Sequence, residues 1–138
     1  MLTPRIPSDL EILDAIYREH HTDFVLYDED KGVRASKVMV PVNCRKIAST
    51  LNVDGDVVFG RLYYHLEEKY GYKREDGSQV AFFALQAGGD RHCINFPLMI
   101  SVLAGLKEEE DKFWISTMLS ILALIISVLS YLGLGIDL

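Results

Sequence analysis

Histidines and cysteines are the residues of this chain whose types could bind a metal or act as nucleophiles. They include two adjacent pairs, His20–His21 and His92–Cys93, and a separate Cys44. Neighbouring side chains on a helix or strand point to different faces, and no pair has the spacing of about two to four residues that zinc ligands favour. We therefore predict no metal site and histidines that are solvated or part of the core. Two distant cysteines without a Cys-X-X-Cys motif predict reduced intracellular thiols.

Arrangements typical of catalytic sites are also missing from the sequence. It contains no Ser/His/Asp or Cys/His arrangement, no phosphate-binding glycine loop and no pair of acids on one helix face. We therefore predict that the protein is not an enzyme and uses no cofactor.

Charged and aromatic side chains remain as candidates for binding a macromolecule. All 14 Lys and Arg residues and 19 of the 20 acids precede residue 113, so this part of the chain carries a net charge of −5. Nucleic-acid-binding domains normally carry a basic surface. The charge therefore disfavours nucleic acid as the partner.

A helix is predicted near the start of this acidic part. Ser8 and Glu11 have the spacing of a capping box, in which each side chain accepts a hydrogen bond from the other residue's backbone N–H. The stretch 22–36 predicts an irregular excursion or weak hairpin, and 37–41 a short strand that ends at Pro41. The residues that repeat at helical spacing are Leu10, Leu13, Ile16, Tyr17 and His20.

Two further helices are predicted on either side of a turn at Asn52–Gly55. Asn43 can cap the first of them. The inward residues are predicted to be Ile47, Ala48 and Leu51 in the first helix and Val58, Leu62 and Leu66 in the second. This spacing resembles the helix-turn-helix of winged-helix domains, where an alanine lets the two helices cross closely and a valine after the turn fills the gap.

A hairpin follows these helices. Asp76–Gly77 suits a tight turn that needs positive φ, so 72–86 resembles the wing of a winged-helix domain. A further strand is predicted after Gly88–Gly89. The resemblance covers about residues 8–95 and predicts an α+β fold, with a winged-helix domain at 1–96.

The resemblance implies DNA binding, with the N-terminal part of the second helix in the major groove. That part carries Asp54 and Asp56, which would repel phosphates, and it offers no Arg, Lys, Asn or Gln to contact a base. The candidate nucleic-acid contacts are Arg45, Lys46, Arg61, Lys69, Lys73 and Arg74, the last two offset by Glu75 and Asp76.

The same face can bind protein instead. Phe59, Tyr63 and Tyr64 have the composition of an interface core, which is rich in aromatic residues and poor in charge. At least one of these rings is expected to pack beneath the wing. We favour protein contact or self-association for this surface and keep nucleic acid as the alternative.

A long helix is predicted at the C-terminal end. Pro97 is tolerated in a first helical turn, and 97–112 forms a connecting helix whose one point for bending is Gly105. Residues 113–134 carry no charge, and an α-helix needs about 20 apolar residues to cross a bilayer. We predict a single transmembrane helix at 113–134, followed by a short tail at 135–138.

The flanking charges predict the orientation of this span. Lys107 and Lys112 precede it, and no positive charge follows it. Because positive charge favours the cytoplasmic side, we expect a cytoplasmic N-terminal domain at the inner membrane. The first ten residues lack the apolar stretch of a signal peptide, so the layout is predicted to be tail-anchored.

Small residues recur along the predicted span in a heptad-like order. Transmembrane helices associate through close packing of small residues, so this row predicts a homo-oligomer. Two alternatives stay open, a solitary span with incidental serines and a ring whose hydroxyls line a pore. The row, called here the small-residue seam, consists of Ser116, Ser120, Ala123, Ser127 and Ser130.

Two functions are compatible with these predictions. One is a non-enzymatic sensor, adaptor or membrane effector that couples an intracellular protein to the lipid bilayer, with a layout like that of small toxin-like or phage-defence proteins. The alternative is a membrane-tethered, DNA-binding transcriptional regulator.

Overall fold

The first helix begins at the predicted capping box. The computed structural model describes residues 4–28 and 31–133. Helix α1 spans Asp9–Val25, and the Ser8 hydroxyl accepts from the Glu11 N–H at 3.1 Å while the Glu11 carboxylate accepts from the Ser8 N–H at 3.2 Å. These reciprocal bonds confirm the predicted helix start.

Helix α1 extends one turn further than the sequence predicted. Residues 22–25 are helical, although they were expected to begin an irregular segment. This turn contains neither Gly nor Pro, and the Phe24 ring packs 4.8 Å from the Phe96 ring. That contact stabilises the last turn of the helix. Strand β1, Met39–Pro41, lies where it was predicted.

Helical segments follow on both sides of the predicted turn. Helix α2 spans Cys44–Leu51, and the Asn43 side chain accepts from the Lys46 N–H. Asn52 ends it in the left-handed conformation, with φ 58°. Helix α3 (Gly55–Gly60), a π-helical segment (Arg61–Leu66) and helix α4 (Glu67–Tyr70) then continue without a break, and together they are called the 55–70 helix.

In the described part of the chain, five strands form two separate sheets. Strands β2 (Tyr72–Lys73) and β3 (Gln79–Val80) pair as a hairpin, whose tight turn at Asp76–Gly77 is confirmed by Gly77 at φ 87°. Strands β4 (Phe83–Ala87) and β5 (Asp90–Asn95) pair with β1 in an antiparallel sheet of order β1-β5-β4. Gly88 makes the β4–β5 turn at φ 61°.

The core lies between the helices and the three-stranded sheet. The predicted inward residues of α2 and the 55–70 helix are all buried. The spacing of these residues predicted their burial, because apolar residues at helical spacing lie on one face of a helix. The fully buried residues of greatest volume include Phe82, Phe96, Ile12, Leu13, Ile47, Leu62 and Leu66.

Helix α5 spans Phe96–Tyr131 and contains a stretch long and apolar enough to cross a membrane. None of the residues in that stretch is buried within the chain. Gly133 adopts φ 71° just after the helix. The last residue of the predicted span and the predicted tail, 134–138, lie outside the described residues. By its internal contacts the chain forms two compact units, Met1–Leu103 and Ala104–Leu138.

Candidate interaction surface

The three aromatic residues predicted to bind a partner lie together on the 55–70 helix. The rings of Phe59 and Tyr63 stack with 5.6 Å between centroids, and Tyr63 meets Tyr64 edge to face at 4.8 Å. Tyr64 is 72% exposed and Tyr63 38%. Phe59 is half-buried, and its ring packs on Phe83 and His92 of the sheet. The structure therefore forms one continuous row, anchored at Phe59 and exposed at Tyr64.

The backbone at Tyr63 and Tyr64 is π-helical, whereas Phe59 lies in helix α3. Leu62 and Leu66 are buried, and Tyr63, Tyr64 and His65 between them are exposed. Helical residues four positions apart lie on one face, so the residues between them point outward. Segments of π-helix recur at functional sites.

Three of the predicted nucleic-acid contacts are instead paired with acids of α1. The Arg61 guanidinium donates to the Pro7 carbonyl at 2.7 Å and forms an ion pair with the Asp9 carboxylate. Lys69 lies 3.9 Å from the same carboxylate. Lys46 pairs with Glu19 at 2.6 Å. Arg61 is thereby largely covered, whereas the side chains of Lys69 and Lys46 stay 51% and 59% exposed.

Asp9 is the centre of the first of these groups. Burial by itself raises the pKa of Asp9, but the hydrogen bond and charge of Arg61, together with His65, outweigh burial and hold the pKa below its ordinary value. The Asp9 side chain is 16% exposed and the Arg61 side chain 25%. Arg61 therefore ties the 55–70 helix to the start of α1.

The other three predicted cations, Lys73, Arg74 and Arg45, are exposed, and Lys73 lines a groove with Tyr63 and Tyr64. Lys73 and Arg74 lie on the β2–β3 hairpin. Asp76 accepts from the Ser78 hydroxyl there, and this bond lowers the pKa of Asp76. Arg45 lies beside Asp54 and Asp56 in another groove, so acids accompany it as well.

His20 and both cysteines are at least partly buried within the fold. Buried His20 lies 3.3 Å from the Asp23 carboxylate, and its Nε2 atom accepts from the Asn43 N–H at 3.3 Å. Both cysteines are free, and burial raises the pKa of the thiols of Cys44 and Cys93. Among residues 4–28 and 31–133, no group of three or more His, Cys, Asp and Glu residues is placed to hold a metal ion.

The small-residue seam lies on exposed positions of α5. Its five members are all exposed within the chain. The Ser120 hydroxyl donates to the Ser116 carbonyl at 2.9 Å. The donor of Ser120 is thus satisfied inside the helix, and this hydroxyl is left as an acceptor and as a small packing surface.

Sequence reasoning missed three residues beside the aromatic row. The Glu67 carboxylate accepts from the N–H groups of Phe82 and Phe83 at 2.7 and 2.6 Å. Gly71 and Tyr72 line a groove together with the two tyrosines of the row. A glycine directly after a helix and before an aromatic residue was the available signal for this groove.

Comparison of the chain with protein-family models, with curated proteins and with solved structures finds no match. The residues described above are therefore the basis for a functional assignment.

Proposed function

We propose that residues 1–96 form a winged-helix domain. The order of elements supports this proposal, because α1, β1, α2, the 55–70 helix, β4 and β5 follow one another and the sheet order is β1-β5-β4. In this proposal the wing is the β4–β5 hairpin, with its turn at Gly88–Gly89. The β2–β3 hairpin, which resembled the wing in the sequence, is an insertion that pairs with itself.

The proposed function is that of a non-enzymatic membrane protein that couples an intracellular protein to the bilayer as sensor, adaptor or effector. Helix α5 crosses the inner membrane with the winged-helix domain in the cytoplasm, and copies associate through the small-residue seam. Lys107 and Lys112 before the apolar stretch support this orientation.

One observation carries the choice of a protein partner. The aromatic row is exposed at Tyr63 and Tyr64, whereas Arg61, Lys69 and Lys46 are paired with acids. Interfaces between proteins favour exposed aromatic anchors, and DNA binding requires available cations. The surface therefore suits protein better than phosphate.

Membrane potential measured during overexpression tests this function. We expect the native chain to depolarise the membrane, and we expect Tyr63→Ala with Tyr64→Ala to suppress the effect while the protein still reaches the membrane. Ser120→Leu with Ser127→Leu should suppress it as well. Met118→Phe with Ile125→Phe is the control, because it adds bulk at the same spacing on the opposite helix face. Full depolarisation by both test variants would remove the effector proposal.

A membrane-tethered transcriptional regulator is the second candidate. Exposure of Lys73, Arg74 and Arg45 favours it, because these side chains remain accessible to phosphates. The test is fluorescence polarisation of the full chain in non-ionic detergent with random duplex DNA at about 50 and about 200 mM salt. Binding that falls steeply with salt and is lost on Lys73→Ala with Arg74→Ala would establish the regulator. Absence of binding at low salt would remove it.

A further inference from the structure

A groove of about 660 Å³ lies where the 55–70 helix meets the β2–β3 hairpin. Its lining includes three tyrosines, two glutamates and one lysine: Tyr63, Tyr64, Tyr72, Glu67, Glu68 and Lys73. We propose that this tyrosine groove binds an arginine or lysine side chain presented by a partner protein. The inference rests on the proposed function and names the chemistry of its partner.

Three tyrosine side chains line the tyrosine groove, and one face of the Tyr63 ring is stacked on Phe59. The rings of Tyr63 and Tyr64 are inclined at 76°, so their faces point in nearly perpendicular directions. Tyr72, 49% exposed, lines the same groove. A cation held against tyrosine faces is attracted by the negative charge of the ring faces, which is how aromatic cages hold ammonium groups.

Within residues 4–28 and 31–133, no cation lies against the face of a groove tyrosine. In the described part of the chain, cations lie over the rings of Tyr27, Phe24 and Tyr70, at 4.6 to 5.3 Å from the centroids. None of these contacts involves a tyrosine of the groove. The groove tyrosines can therefore accept a cation from another protein.

The two glutamates that line the groove favour a positively charged partner. Glu68 is exposed, and Glu67 is fixed in place by the two backbone N–H groups that it accepts. A side chain at Gly71 would begin 2.6 Å from the Glu67 carboxylate, so the glycine leaves room for that carboxylate beside the groove. Lys73 offsets only one of the two acids. An anionic or phosphate ligand would meet this net negative charge, whereas a guanidinium or ammonium group complements it.

The test uses the full chain in uncharged detergent micelles and a short fluorescein-labelled peptide with two arginines. Its matched counterpart carries citrulline, which keeps the shape of arginine but has no charge. We expect the citrulline peptide to bind at least about tenfold more weakly by fluorescence polarisation, a difference of about 1.4 kcal/mol. Equal binding of the two peptides, or no binding of the arginine peptide, would overturn the inference.

Two variants locate the binding. Tyr64→Ala and Glu68→Gln change exposed side chains, so both variants should fold, and each should weaken binding about fivefold or more. Glu109→Gln is the matched control because it makes the same charge change at an exposed position outside the groove. If Glu109→Gln weakens binding as much as Glu68→Gln, the attraction is to net charge and the inference is wrong. Displacement of the peptide by random duplex DNA, with loss of DNA binding on Lys73→Ala, would also overturn it.

Failure of the inference can be separated from failure of the proposed function. If the arginine peptide does not bind but Tyr63→Ala with Tyr64→Ala still suppresses depolarisation, the surface contacts a partner of another chemistry. If the arginine peptide binds as expected but those substitutions leave depolarisation unchanged, the groove binds a cation and the role proposed for the aromatic row in depolarisation is wrong.

Discussion

For single residues, ion pairing within the fold, rather than the number of charged residues, determines which charges are available to a partner. Arg61 is on the helix that would contact DNA in a winged-helix domain, yet its guanidinium is held by Asp9 and the Pro7 carbonyl. A partly buried ion pair of this kind is costly to break from one side, because the remaining charge is left without its partner. Arg61 therefore acts in the fold, and the surface is less basic than the sequence suggests.

This pairing predicts a pH-dependent effect of Asp9→Asn. The folded state lowers the pKa of Asp9, so its stabilisation is present above the ordinary carboxyl pKa of about 4 and is lost as the pH falls below that value. We expect the variant to be less stable than the native chain by on the order of 2 kcal/mol at pH 7, and we expect the difference to shrink in acid. Thermal unfolding in non-ionic detergent, followed by near-ultraviolet circular dichroism, measures it.

Glu108→Gln is the control for this prediction. Glu108 pairs with Lys112 at 3.2 Å, and the two side chains are 69% and 73% exposed. Exposed pairs contribute about 0–1 kcal/mol. If the control lowered the free energy of unfolding at pH 7 as much as Asp9→Asn, burial of the ion pair would not be the reason for the effect.

Glu67 carries a second prediction at this scale. Its carboxylate accepts from the N–H groups of Phe82 and Phe83, and both groups are part-buried. Glu67→Ala leaves two backbone donors without an acceptor, and we expect a loss of about 2–4 kcal/mol in the free energy of unfolding. Glu68→Ala, at the next and exposed position, should change it by less than about 0.5 kcal/mol. Similar losses for the two variants would contradict the role given to Glu67.

At the scale of elements, the turn between α2 and the 55–70 helix depends on one left-handed residue. Asn52 ends α2 at φ 58°, a conformation that asparagine and glycine tolerate better than other residues. We expect Asn52→Ala to cost about 1 kcal/mol and Asn52→Gly to be near neutral. Urea unfolding of the full chain in detergent checks both. Equal losses would show that the asparagine side chain, rather than its backbone conformation, matters here.

Elements specified by local signals are the ones that the sequence predicted. The capping box of α1, the apolar spacing of α2 and the turn at Asp76–Gly77 all depend on residues a few positions apart. Phe59, Tyr63 and Tyr64 are also close in sequence, and their helical spacing brings them together on the 55–70 helix.

Features that depend on distant contacts were not predicted. The last turn of α1 is stabilised by Phe24 against Phe96, 72 positions apart in the sequence numbering. The bonds from Glu67 to Phe82 and Phe83 cross 15 and 16 residues. The tyrosine groove combines the 55–70 helix with a hairpin of two-residue strands. The hairpin itself was predicted from its turn at Asp76–Gly77, but strands so short carry no alternation of apolar and polar residues that would show which face lies near the 55–70 helix.

At the scale of the whole molecule, the chain combines a unit with a buried core and a helix whose apolar surface is not covered by the chain. An apolar stretch in which no residue is buried needs lipid or other copies around it. Lipid tails are as apolar as the side chains of a transmembrane helix, so moving these side chains from lipid to a helix interface gains little free energy. Close packing at small residues therefore determines which helix faces meet. The small-residue seam is the face of α5 that allows the closest approach of two backbones.

Association of copies through the small-residue seam should depend on the size of its side chains. Ser120→Leu with Ser127→Leu places two bulky side chains on the seam through which we propose that copies associate. The Ser120 donor is already satisfied at the Ser116 carbonyl, so the main loss expected at this position is close packing. We expect the dissociation constant of the oligomer in detergent, measured by energy transfer between labelled copies, to rise about tenfold or more. Met118→Phe with Ile125→Phe, which also adds bulk, should leave it within about twofold, because these residues lie on the opposite face. An equal rise for both pairs would mean that association does not select a face, and a solitary span with incidental serines would then describe α5.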